Sequence, residues 1–188
     1  MRIAIIGWGS LIWDLEVLTP HVAGDWQMGV GPDLPMEFSR VSPKRKMGLA
    51  VCLDPVDGVP CRTNVIASAR ADLEQAIDDL AVRERAPVSQ IGWATLTDAH
   101  SALSDVNTIV QRWLVQSEFQ AAIWTDLEAN FAQAKGASFS IPAAIAHLKN
   151  LNAEQIEEAH RYIVEAPAAT DTPLRRTLTV DPWWQSLG

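Results

Sequence analysis

Glu84 is the side chain in this sequence best placed for proton chemistry. It follows Leu80 by four residues and Ile77 by seven, so all three project from one face of a helix predicted over residues 71–86. That face is apolar. A carboxylate on it is partly desolvated, which disfavours the charged form and moves its pKa toward the range of a general base or acid near neutral pH. The competing reading is a last-turn glutamate satisfied by Arg83 or Arg85. A second candidate is Gly7-Trp8-Gly9-Ser10, directly after a short apolar run. Two glycines and a serine in that place can leave backbone N–H groups free to hold a carboxylate or carbonyl oxygen. The same residues also suit a tight turn chosen for packing.

Several other chemistries are excluded by spacing. The glycine loop has Ile12 where a dinucleotide fingerprint needs its third glycine, and no clean amphipathic helix precedes Thr19-Pro20. Ser10 lies in the order G-x-G-S-L and so is not in a nucleophile elbow. Glu157 and His160 form one E-x-x-H unit, and a di-iron bundle needs two. Cys52 and Cys61 stand nine positions apart with no companion at zinc-ligand spacing, and read as reduced, half-buried thiols. Neither a metal nor another cofactor is expected. His21, His100 and His147 lack partners at motif spacing and read as surface or loop residues. In the proline-bounded tail from Pro167 to Trp184, read as extended, Trp183-Trp184 reads as an anchor that buries apolar area. Arg175 or Arg176 there could grip a carboxylate in two-pronged fashion.

These residues need elements to position them. Residues 2–7 (RIAIIG) read as a buried strand ending in glycine, and 13–35 as a long irregular excursion rich in Pro and Gly. Met36–Ser42 and Met47–Leu53 read as a strand pair around the turn Pro43-Lys44-Arg45-Lys46. Cys61–Ala67 adds a fourth strand, giving a meander after the first. Asp72 with Gln75 has the form of a capping box for the helix that carries Glu84. Ile91–Thr97 and Phe119–Thr125 are further strands. Asp105–Gln116, Ile141–Leu148 and Asn152–Glu165 are further helices.

At 188 residues, with 48% hydrophobic positions and eight Trp, the chain is expected to fold as one domain, 1–188. Its 15 Lys+Arg against 23 Asp+Glu give a net charge of -8, which opposes binding to a nucleic acid backbone. The apolar stretch Ile3–Trp13 is too short and too interrupted for a membrane span and lacks the form of a signal peptide, so a cytoplasmic location is expected.

Taken together, three segments resemble the γ-glutamyl cyclotransferase superfamily. Gly7-Trp8-Gly9-Ser10-Leu11-Ile12-Trp13 is similar to its Y-G-S-L motif after the first strand, Phe38–Leu53 to its strand pair, and Asp79-Leu80-Ala81-Val82-Arg83-Glu84 to the R-E context of its catalytic glutamate. The resemblance implies an α+β fold, a small mixed β-barrel with flanking helices. Residues 97–188 are then a less well matched helical extension packed on it. It implies that Glu84 is the general base and that Gly9, Ser10 and Leu11, with Gly7 before them, hold the γ-glutamyl group. Trp8 stands where the family has tyrosine, and Arg40 lies in the strand where relatives carry an arginine near the pocket. The implied activity is release of 5-oxoproline from a small γ-glutamyl amine or peptide, without metal or nucleotide. The alternative is a non-catalytic module that uses the same loop and cavity to bind a small carboxylate.

Overall fold

A computed structural model describes all residues, 1–188, as an α+β protein. In chain order the strands are β1 (Ile3–Gly7), β2 (Val22–Gln27), β3 (Asp33–Ser42), β4 (Gly48–Leu53), β5 (Val59–Arg62), β6 (Asn64–Ser68), β7 (Ile91–Thr95), β8 (Ala99–His100) and β9 (Ala121–Thr125). The helices are α1 (Leu73–Glu84), α2 (Ser104–Gln116), α3 (Phe131–Lys135), α4 (Ile141–Lys149), α5 (Ala153–Glu165), α6 (Pro173–Val180) and α7 (Pro182–Gln185). No helix is long and apolar enough to cross a membrane. The chain forms two compact units, one of residues 1–34 and 62–127, the other of 35–61 and 128–188.

The first unit is built on a mixed six-stranded sheet in the order β2-β6-β1-β9-β7-β8. β1 runs antiparallel to β6 and parallel to β9, and β7 is antiparallel to β9. The sheet is open, which corrects the expected barrel. Closure needs edge strands long and regular enough to pair at a common tilt. Here β8 has two residues, and β2 shifts register between Ala23 and Gln27. The β-branched and apolar residues of one sheet face, Ile3, Ile5, Ile66, Ile91 and Ile123, pack on Ala76, Leu80 and Ala81 of α1. Each such fully buried Leu or Ile contributes about 1.5–3 kcal/mol. α1 begins where Asp72 accepts the Gln75 N–H at 3.0 Å. Residues 97–127, expected to begin a helical extension, supply α2 and the strand β9 between β1 and β7.

The expected meander is also corrected. A single strand over 61–67 is broken at Thr63, whose N–H and Oγ both donate to the Pro32 carbonyl, at 3.2 and 2.7 Å. Past that break the chain pairs with β1 as β6, while β3, β4 and β5 form a separate three-stranded sheet in the order β4-β3-β5. Within the excursion 13–35 lie a 3-10 turn over Glu16–His21 and the strand β2.

In the second unit β3 and β4 pair antiparallel from Met36↔Leu53 to Ser42↔Gly48, and α5 packs on β4. Asn152 opens α5 with a reciprocal capping box to Gln155. Buried acids here are held by backbone N–H groups. Glu37 accepts from Phe38 and Leu174, and Asp54 accepts from Val56, Asp57 and the Ser39 hydroxyl. Burial nevertheless pushes the Glu37 carboxyl up from its ordinary value. The tail is helical where an extended segment was expected, because Thr172 and Asp181 each cap a helix with proline at its first turn. His147 is buried, its Nε2 2.9 Å from the Met47 carbonyl, and both cysteines are fully buried, not half-buried.

Candidate functional site

The glycine loop leaves β1 at Gly7, where the backbone comes so close to Trp26 that an added Cβ would lie 2.7 Å from the indole ring. This close approach accounts for the glycine. Ser10–Ile12 then form one 3-10 turn, in which the Ile12 N–H donates to the Gly9 carbonyl and the Trp13 N–H to that of Ser10. The first N–H groups of such a turn find no acceptor within it. The N–H groups of Ser10 and Leu11 are therefore not used by the turn itself. Trp8, Ser10 and Leu11 are all buried.

Glu84 is the last residue of α1, and its half-buried side chain lies where the helical period places it. Its Oε1 accepts from Arg83 Nη1 at 2.7 Å. Neighbouring residues on a helix do not normally face each other. They meet here at the helix end, where Arg85 takes a left-handed conformation (φ 55) and its N–H returns to the carbonyls of Ala81 and Val82. A left-handed residue is a common way to end a helix, though it is seldom other than glycine or asparagine.

Arg83 ties the two candidates together. Its side chain is only 1% exposed. Besides Glu84, its Nη2 donates to the Asp14 carbonyl at 2.5 Å and lies 3.4 Å from Ser10 Oγ, while its buried Nε has no partner. One guanidinium thus holds the carboxylate, the serine of the glycine loop and the chain just beyond that loop. Glu84 keeps one oxygen in a fixed charge-assisted bond and 12% of its side chain exposed. Such a carboxylate can accept a proton in a defined direction.

The burial of Arg83 is legible in the sequence. Ala76, Leu80 and Arg83 are spaced i, i+4, i+7, so Arg83 falls on the buried stripe. The approach of Trp26 to Gly7 had no local signal. Arg40 belongs to the second unit, on β3, and its Nη1 donates to the Glu128 carbonyl at 2.6 Å. Arg175 donates to the carbonyls of Val164, Ala166, Pro167 and Thr170, and Arg176 pairs with Asp171, so both serve to tie down the tail. No group of three His, Cys, Asp or Glu side chains converges as a metal site. The chain matches no protein-family model, no curated protein and no solved structure.

Proposed function

We propose that the chain is a γ-glutamyl cyclotransferase-like enzyme that releases 5-oxoproline from a small γ-glutamyl amine or peptide. The observation that supports this reading is the Arg83 bridge between Ser10 of the glycine loop and Glu84. In the reaction, the α-amine of the γ-glutamyl group attacks its own γ-carbonyl carbon. The new C–N bond closes the five-membered ring, and the bond to the leaving nitrogen breaks. Glu84 takes the proton that the ammonium must lose before attack and returns it to the departing nitrogen. The N–H groups of Ser10 and Leu11 hold the carbonyl oxygen as it gains charge, and Gly7, Trp8 and Gly9 shape the loop that presents them. Arg83 orients the base through its 2.7 Å bond.

Purified protein and its Glu84→Gln variant, incubated with γ-glutamyl dipeptides, γ-glutamyl amines and glutathione, test the reading by mass spectrometry of 5-oxoproline. Product from the wild type and none from the variant is expected. Equal turnover in both would remove Glu84 as the base. The partnering of Glu84 Oε1 with Arg83 favours a second reading, a module that binds a small carboxylate without turnover. Saturable binding of a γ-glutamyl compound with no product from a well-folded wild type would select it.

A further inference from the structure

A groove lies on the first unit, beside α1. Glu74, Ile77 and Asp78 are neighbours on one helix face, at i, i+3 and i+4. Facing them, Trp93 of β7 stands directly across from His100 of β8, with ring planes 26° apart and centroids at 6.4 Å. With Val88 of the preceding turn, these side chains enclose an open groove of about 460 Å³, within the usual span of small-molecule sites. Ile77 and Trp93 pack on the core with one side and remain half-exposed on the other, so they form an apolar, aromatic floor.

The charges of this groove are unbalanced. The other acids of this helix are occupied: Asp72 caps it, Asp79 takes Arg70 and His21, and Glu84 takes Arg83. Glu74 and Asp78 accept no hydrogen bond and join no ion pair, and neither Lys nor Arg lines the groove. Glu74 has a local role, since a first-turn acid suits the helix dipole. Asp78 has none: aspartate is a poor helix former in mid-helix, and its repulsion from Glu74 at i, i+4 opposes the helix further. A cation between them removes that repulsion, and the Trp93 face attracts the same charge through its ring quadrupole.

We infer that this groove binds a small organic cation, a primary ammonium or guanidinium on a short apolar chain. The charge sits between Glu74 and Asp78, and the chain lies on Ile77 and Trp93. This site stands on the groove alone and is independent of the reaction proposed above.

The test follows the Trp93 indole N–H by NMR, assigned by its loss in Trp93→Phe. The probes are 1,5-diaminopentane, agmatine and phenethylamine, with 1,5-pentanediol and 2-phenylethanol as neutral counterparts. At least one cation should give a saturable shift below about 10 mM. The neutral compounds should give none. Glu74→Gln with Asp78→Asn should weaken binding at least about fivefold, with the rest of the spectrum unchanged. Both positions are exposed, and either single variant carries the comparison if the double variant is perturbed. No saturable shift with any cation, an equal response to the neutral counterparts or to sodium chloride, or undiminished affinity in the variants would each overturn the assignment.

Discussion

Replacing Arg83 by methionine keeps most of the buried stem and removes the guanidinium. The change deletes the 2.7 Å ion pair with Glu84, the 2.5 Å bond to the Asp14 carbonyl and the longer contact with Ser10 Oγ. Removing one partner of a buried pair costs about 3–5 kcal/mol, because the other charge is left behind. Three features place the cost at the lower end. Glu84 retains 12% exposure, so water reaches the stranded carboxylate, and Asp14 is exposed, so water can replace the lost donor. The guanidinium is itself incompletely satisfied, with a buried Nε that has no partner, and methionine ends that penalty. The expected loss is about 3 kcal/mol, which at a urea m-value of roughly 2–3 kcal/mol/M moves the midpoint down by about 1 M or more. Adding Glu84→Gln to Arg83→Met removes the stranded charge and should recover about 2 kcal/mol, a coupling that a double-mutant cycle reads directly. Unfolding followed by both Trp fluorescence and far-UV circular dichroism checks that one transition is being measured. A single variant within about 1 kcal/mol of wild type, or a double variant no more stable than Arg83→Met, would refute the bridge as the element that holds loop and helix end together.

The central sheet offers a sharper steric test: a Cβ on Gly92 would lie 2.2 Å from the Trp124 indole across the strand pair, so Gly92→Ala should cost about 1–3 kcal/mol or more. An unchanged thermal midpoint would count against this packing. Burial pushes the Cys52 thiol up to about 12 and the Cys61 thiol up to about 11, so neither should react with a disulfide reagent at about pH 8 until the protein is unfolded. Rapid labelling of either in the native protein would contradict that. Burial, aided by the charge of Lys135, holds His147 below its ordinary value of 6.5. The unfolded chain then binds the proton more readily, so this contribution to stability is present above about pH 6.5 and is lost as the pH falls through the folded value. Urea midpoints between about pH 7.5 and 5.5 should fall more steeply for wild type than for His147→Gln, and parallel profiles would rule the residue out.

Which parts of this fold could be read in the residues follows from how local their causes are. Asp72 and Asn152 announce α1 and α5 because a cap acts within three residues, and Met47–Leu53, which forms β4 from Gly48, reads as a strand from its own apolar run. The pairing of β1 with β9 joins Ile3 to Ala121, and no local pattern specifies a partner at that separation. The sheet switch at Thr63 escaped for the same reason, since the Pro32 carbonyl that ends the strand lies thirty-one positions earlier. The candidate site divides along the same line. Helical period alone puts Arg83 on the stripe of Ala76 and Leu80, and Glu84 on that of Ile77 and Leu80, so two opposite charges arrive at one partly buried helix end. A charge buried there needs a partner, and this much is readable without coordinates. The arrival of Ser10 and Asp14 on the same guanidinium is a tertiary fact. Those contacts convert a helix-end ion pair into a candidate site, because they bind Glu84 and the glycine loop to one rigid group.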